Sequence, residues 1–327
     1  MPAIEASNLS KSFNELKAVD SISFRVNEGE IFGLLGPNGA GKTTTINMLS
    51  TILKPTSGVA KIAGFDISKE AGHARAMLGI VFQGPSLDDK LTGFENLDFH
   101  SRMYGLKKKE RAERIARMLE LVDLTDKARV LVENYSGGMK RRLEIARSLI
   151  HKPKVLFLDE PTIGLDAQTR RHIWDYIKKL NKEEKVTIVL TTHYMEEADF
   201  LCSRIAIIDH GKIVAINNPA SLKKMVEADV IVIDIQNKNL NFQKFLEYLE
   251  DISWIKKVRN YNSSLALNVT DAERKIPKLM NIARHFQVKV ISVTMHKPSL
   301  EDVFLKFTGR TIREEEGKPE RTVHKLI

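Results

Sequence analysis

A chain of 327 residues exceeds the usual single-domain length of about 100 to 200, so a large domain joined to a smaller one is the first expectation. Hydrophobic residues make up 43% of it, which supports a sizeable core and excludes a chain disordered throughout; apolar runs such as 155–158 and 230–233 are far short of the roughly 20 residues that cross a bilayer. The net charge of +9 gathers in residues 101–150, with 13 Lys and Arg against 7 Asp and Glu, and in 251–300, with 9 against 3, a pattern that fits solvated helix faces as well as an anionic partner. A single cysteine, Cys202, leaves no intramolecular disulfide, and Met1 to Glu5 show no basic segment leading into an apolar stretch, so a cytoplasmic protein is expected.

In chain order, β-rich segments are predicted at 4–9, 18–26 and 30–35, followed by a glycine loop and a helix over 42–53. Strands at 59–62 and 79–83 precede a stretch of helical periodicity and dense charge, 92–124. With the helix expected at 137–151, this gives a helical insert of about 88–150. The alternation then resumes with a strand at 155–158, a helix at 167–181 and a strand at 186–191, which predicts a mainly parallel sheet with helices packed on it. Two more strands, 205–209 and 212–216, flank His210-Gly211, a hairpin turn. From about 228 a second pattern runs strand 230–235, helix 242–250, strands 255–259 and 265–269, helix 271–286 and strand 288–294. Its βαββαβ order predicts a small α+β domain. The expected domains are therefore 1–225 and 226–327, the latter ending in a charged, aperiodic tail from about 308.

The loop Gly36-Pro37-Asn38-Gly39-Ala40-Gly41-Lys42-Thr43 fits G-x-x-x-x-G-K-[ST] at every fixed position and runs on into Thr44. Glycines let the backbone curl so that its N–H groups face phosphate oxygens, with the start of the following helix behind them. Lys42 is expected on the β- and γ-phosphates of ATP and the Thr43 hydroxyl on Mg²⁺. The apolar strand 155–158 ends in Asp159-Glu160, at the sheet edge where α/β ligand sites lie. An acidic cap would explain one of these acids; two adjacent ones suit a division of labour in which Asp159 holds Mg²⁺ and Glu160 orients or deprotonates the attacking water.

With these motifs in this order the chain resembles the ABC ATPase family, and Tyr135-Ser136-Gly137-Gly138-Met139, which resembles the ABC signature, is the most specific of them. By its own chemistry, Ser-Gly-Gly at a helix start offers a hydroxyl and bare N–H groups to a phosphate, while Ser136 would equally serve as a plain helix cap. The resemblance implies an ABC-type P-loop fold with an antiparallel β subdomain beside the parallel sheet. It also implies that Ser136, Gly137 and Gly138 face nucleotide bound by a second ATPase subunit. One chain would then carry two half-sites, and a homodimer two full ones. Gln83 matches the family's glutamine loop, linking the metal site to the insert and to a membrane partner. His193 matches the switch histidine at the γ-phosphate, and Asp166 the loop coupling the two sites. Phe13 matches the aromatic that stacks on adenine, although an aromatic there could also belong to the core.

Two departures stand out: Met139 replaces the glutamine most common at the fifth signature position, and Phe13 the commoner tyrosine; neither removes a group needed for phosphoryl transfer. The segment from Pro298 to Arg310 resembles the C-terminal part of drug-resistance-type ABC exporter ATPases, and Leu300, Val303, Phe304 and Phe307 share one helical face there, suited to packing or to docking. The resemblance implies an ATPase at the inner face of the cell membrane, bound to a separately encoded integral-membrane permease and driving export of a drug-like or lipid compound. A soluble ABC ATPase acting on nucleic acid or ribosomes is the competing class. The single cassette without heptad runs argues against it, so no nucleic acid is expected.

Overall fold

A computed structural model describes residues 2–226, 229–236, 241–261 and 264–308. The chain divides between Pro219 and Ala220 into two compact units, each with its own apolar cluster.

The first unit opens with β1 (Pro2–Phe13) and β2 (Leu16–Asn27), an antiparallel pair closing at Asn14, which adopts φ 51. After β3 (Ile31–Leu35) and α1 (Lys42–Leu49) come β4 (Ser57–Ile62), β5 (Phe65–Asp66), α2 (Ala71–Ala76) and β6 (Leu78–Val81). The helical insert follows as α3 (Gly93–Met103), α4 (Lys108–Leu121) and α5 (Gly137–Ser148). The unit ends with β7 (Val155–Asp159), α6 (Ala167–Glu184), β8 (Thr187–Thr192), α7 (Met195–Leu201), β9 (Arg204–Asp209) and β10 (Lys212–Asn217).

Two sheets result. One is antiparallel in the order β2-β1-β4-β5; the other runs β10-β9-β3-β8-β7-β6, parallel from β9 to β6 with β10 antiparallel at its edge. Strands β3, β7 and β8 are buried at every residue, as strands in the middle of a parallel sheet should be, and the three threonines of β8 are buried with its apolar residues. On β2 the burial alternates, with Ile22, Phe24 and Val26 turned inward to join Phe32 and Leu34 of β3 and Ile46 and Met48 of α1 in one cluster. This clamps the segment between β3 and α1 from both sides.

The insert is started by a capping box: Thr92 Oγ1 accepts from the Glu95 N–H at 3.2 Å while Glu95 Oε2 accepts from the Thr92 N–H at 2.8 Å. Some elements differ from the sequence expectation. Helix α1 stops at Leu49, four residues early, because Thr51 takes the left-handed conformation at φ 65. Helix α6 runs on to Glu184, since the Asn181 side chain donates to the carbonyls of Gly29 and Val186 instead of ending the helix.

The second unit contains α8 (Pro219–Met225), β11 (Asp229–Ile235), α9 (Phe242–Glu250), β12 (Ile255–Tyr261), β13 (Ser264–Val269), α10 (Ala272–His285), β14 (Val290–His296) and α11 (Leu300–Thr308). Its sheet is antiparallel throughout in the order β12-β13-β11-β14, the split βαβ arrangement, with Ile231, Ile233, Leu265 and Leu267 packed on Phe245 and Leu279 of the helices. On α11, Leu300, Val303 and Phe304 are buried and Phe307 is exposed, and Lys306 Nζ donates to the Met225 carbonyl at 2.6 Å. Helix α8 clusters with this unit, ahead of the boundary expected at 225–226. The tail expected from about 308 lies, past Thr308, outside the described residues.

Candidate active site

The loop from Gly36 to Gly41 joins β3 to α1 where the fold leaves no room for side chains. A Cβ on Gly36 would lie 2.3 Å from the Ile208 carbonyl oxygen, and Gly41, at φ 101, faces the Ala18 carbonyl at 2.4 Å in the same sense. Lys42 opens α1 and its side chain is 4% exposed. It donates to the carbonyls of Gly36 at 2.7 Å and Pro37 at 3.2 Å and pairs with Glu160 Oε1 at 3.2 Å. Burial pushes its proton affinity below the ordinary lysine value, and the charges of Glu160 and Asp159 offset this only in part.

Asp159 closes β7, is 2% exposed, and its Oδ1 accepts from the Thr43 hydroxyl at 3.3 Å and from the Thr191 hydroxyl. Glu160 follows at φ 47, a conformation a side-chain-bearing residue seldom takes; its N–H donates to both the carbonyl and the hydroxyl of Thr191. Its carboxylate is divided between two partners, Oε1 toward Lys42 and Oε2 toward His193 Nδ1 at 3.0 Å. Burial alone would raise the acid's proton affinity, yet the His193 hydrogen bond and the Lys42 charge outweigh it and hold the group below the usual glutamate value. Five of the residues singled out by sequence, Lys42, Thr43, Asp159, Glu160 and His193, thus form one constellation connected through Thr191.

A cavity of about 400 Å³ lies over it, lined by the loop residues Pro37, Asn38, Gly39, Gly41, Lys42, Thr43 and Thr44 together with Gln83 and Glu160. Gly36 and Ala40 form the back of the loop instead; Ala40 is buried and its carbonyl accepts from the Gly211 N–H at 3.0 Å. Leu16, Lys17 and Ala18 at the start of β2 and His210 and Gly211 in the β9–β10 turn complete the walls. Sequence reasoning missed these five, because only the Gly211 carbonyl accepting from Asp20 N–H, and similar contacts far apart in the chain, bring the two segments to the loop. Phe13 does not line the cavity: the residue is 44% exposed at the end of β1, with Lys11 Nζ 5.1 Å from the ring centre.

Ser136, Gly137 and Gly138 lie elsewhere. Ser136 caps α5, its hydroxyl accepting from the Met139 N–H at 3.3 Å. Ser136, Gly138, Met139 and Arg142 line a second cavity of about 330 Å³ with Thr169, His172, Ile173 and Tyr176 of α6. A Cβ on Gly138 would come 2.6 Å from Thr169 Cγ2, so the two helices approach closely at this glycine. Asp166 caps α6 by accepting from the Thr169 N–H at 2.9 Å and the Thr169 hydroxyl at 2.6 Å, bonds that lower its proton affinity; it lines neither cavity. Arg141, on the buried face of α5, is a further residue that sequence reasoning passed over. Its guanidinium reaches the main chain around Asp159, and the one local hint is its i,i+3 pairing with Glu144 on that face.

Asp159, Thr43 and Gln83 supply few donors for a metal, and no group of three or more His, Cys, Asp or Glu able to hold a metal ion occurs among the described residues. That donor set fits Mg²⁺, which keeps several waters and takes phosphate oxygens beside one or two protein groups.

A family profile described as ABC transporter matches residues 19–163. The chain is 40% identical over 313 residues to the linearmycin resistance ATP-binding protein LnrL of Bacillus subtilis (strain 168), covering 95% of this chain and 100% of that one. It is 37% identical to the daunorubicin resistance ATP-binding protein DrrA2 of Streptomyces coeruleorubidus, covering 97% and 98%. Among solved structures it is similar to an ATP-binding cassette described as a dimer in a post-hydrolysis state bound to ADP and Pi, with a TM-score of 0.59, 29% identity, and coverage of 66% of this chain and 98% of that one. A phosphate loop tied to paired acids and a histidine, on the same fold and with full-length likeness to such proteins, makes this chain a member of the ABC transporter family, an ATP-binding and ATP-hydrolysing subunit of the drug-resistance type.

Proposed function

We propose that the cavity over Lys42 is one half of a Mg-ATP hydrolysis site, completed by Ser136, Gly137 and Gly138 of a second copy of this chain. The observation that carries this reading is that Ser136 and Gly138 line a cavity of their own while Lys42, Thr43 and Glu160 line another. A serine hydroxyl and free N–H groups at the start of a 12-residue helix suit a phosphate that the chain's own loop does not bring to them. The dimeric assembly described for the similar cassette supports it.

In this reading Lys42 leaves the carbonyls of Gly36 and Pro37 for the β- and γ-phosphates, and the main-chain N–H groups of the loop hold the phosphate tail. Mg²⁺, when bound, neutralises developing phosphate charge and orients the β- and γ-oxygens; Thr43, Asp159 and Gln83 are the groups that would hold it and its waters. Glu160 accepts the proton of the attacking water, and His193, 3.0 Å from its Oε2, fixes the carboxylate and faces the γ-phosphate. Asp166 ties the second copy's contact to the helix carrying Thr169, which touches Gly138.

Dimer formation and hydrolysis then drive export through a separate integral-membrane permease, of a drug-like or lipid compound, with this subunit held at the inner membrane face by that partner. No helix among the described residues is long and apolar enough to cross a membrane, which suits a separate permease, and two relatives are named for resistance to linearmycin and daunorubicin. Mixing tests the shared site. Chains with Lys42→Ala and chains with Ser136→Ala should each be inactive, whereas a mixture regains ATPase activity because one intact site forms in each mixed dimer. A mixture as dead as its components would refute completion by a second subunit.

A further inference from the structure

We propose that Arg141 is a positioning residue for hydrolysis: its guanidinium holds the main chain on both sides of Glu160 and the peptide before Gln83 in the arrangement from which Glu160 acts on water. The inference rests on the reading of Glu160 given above.

A guanidinium has five N–H donors in a rigid planar fork, and here each finds an acceptor. Nε donates to the Pro161 carbonyl at 2.7 Å; Nη1 donates to the Phe82 carbonyl at 2.7 Å and to Glu144 Oε2 at 2.8 Å; Nη2 donates to the carbonyls of Asp159 at 3.1 Å and Glu160 at 3.3 Å. Four of the five acceptors are main-chain oxygens, and they come from two segments, the loop after β6 and the chain from the last residue of β7 into the loop that follows it. The side chain is 8% exposed and lines neither cavity, so it is placed to touch no nucleotide.

What it touches is the residue of the Lys42–Glu160–His193 constellation that takes the left-handed conformation. Glu160, at φ 47, stays in that conformation only if its surroundings fix it from more than one direction. Thr191 takes its N–H; Arg141 takes its carbonyl and those of both neighbours. The same guanidinium fixes the peptide entering Gln83, and Glu144, which neutralises Arg141, accepts from the N–H of Ser86 at 2.9 Å and its hydroxyl at 3.1 Å. One buried side chain of α5, the helix that Ser136 caps, therefore sets the spacing between the glutamine loop and the catalytic carboxylate. Lysine cannot replace it. Its ammonium keeps the charge for Glu144 but offers three donors from a single atom and cannot span carbonyls in a planar fork.

The test uses the purified full-length chain with Arg141→Lys and, as a second variant, Arg141→Gln, alongside Glu160→Gln and the double variant Arg141→Lys/Glu160→Gln. ATP binding stoichiometry and affinity are measured together with kcat, and rates are expressed per ATP-binding chain so that unfolded protein drops out. Displacing a reactive group by about 1 Å costs on the order of 100-fold in rate. The expected result is therefore a kcat at least about 30-fold lower in Arg141→Lys and Arg141→Gln, with ATP affinity within about threefold of the parent. In the double variant, single-turnover hydrolysis should be no slower than in Glu160→Gln alone, because both changes disable the same group. A kcat in Arg141→Lys within about threefold of the parent overturns the proposal. So does a fall in rate per total chain that vanishes when the rate is expressed per ATP-binding chain, or a further drop of about 30-fold in the double variant. Near-normal turnover in Glu160→Gln would instead sink the reading of Glu160 on which the inference rests.

Discussion

Replacing Glu160 by glutamine keeps the size of the side chain and removes its charge, and the structure says what should follow for chemistry, binding and stability separately. An amide accepts no proton from water, so the loss should be that of a general base, on the order of 10²–10⁴ in kcat, or about 3–5 kcal/mol in the barrier. Binding should move the other way, because a carboxylate that lines the phosphate cavity repels a nucleotide tail. Stability is governed by Lys42, whose ammonium and the Glu160 carboxylate are 3.2 Å apart with only 4% and 7% of their side chains exposed. The gross attraction at that separation is about 5 kcal/mol at an effective dielectric of 20. Lys42 keeps the carbonyls of Gly36 and Pro37, so the net loss in the variant should be nearer to about 3 kcal/mol, the scale for breaking a buried pair. ATP would restore a counter-charge to Lys42 and raise the melting temperature of the variant by more than that of the parent. Phosphate release, equilibrium ATP binding and melting curves with and without ATP measure the three effects. Turnover within threefold of the parent, or an ATP-induced rise in Tm no larger than the parent's, would refute the assignment of Glu160 as both base and counter-ion.

The remaining predictions concern residues farther from the phosphates. His100 on α3 is held to a pKa of about 4 by burial first and by the charges of Arg147 and His151, against an ordinary value of 6.5. Between those two values the unfolded chain binds a proton that the folded one does not, so stability falls as pH drops through that window, by at most about 1.4 kcal/mol per pH unit and less because the ring is partly solvated. His100→Gln should flatten the fall of Tm from pH 6.5 to 4.5; an unchanged slope would exclude His100 as its source. Because Phe13 stands outside the cavity while Leu16 and Lys17 line it, Phe13→Ala should change the ATP dissociation constant less than about threefold. A loss above tenfold would show that the base reaches the ring.

Much of this architecture can be read from the chain because its signals are local. The runs that become β3 and β7 are apolar at nearly every residue, the glycine loop has a fixed spacing, and the βαββαβ order of the second unit is a sequence of ordinary periodicities. Helices α2 and α7 are legible only in the structure, since stretches of 6 and 7 residues hold too few turns for a period to register. The same limit applies to the site. Lys42, Asp159 and Glu160 announce themselves by motif, whereas Arg141 exerts its hold on carbonyls 18, 19, 20 and 59 residues away, and a carbonyl leaves no trace in an amino-acid sequence. Phe13 stands at the end of β1 outside the lining of the cavity, while Leu16 and Lys17 across the same hairpin line it.

Gly138 carries a consequence for how this chain can drift. Its missing side chain opens the helix start toward solvent, yet the same absence leaves the room that Thr169 Cγ2 occupies across the helix pair. The packing demand of the helix pair thus falls on the same residue as the open helix start. Any side chain placed at 138 should therefore need a smaller residue at 169, so the size of the residue at 169 sets what position 138 can hold.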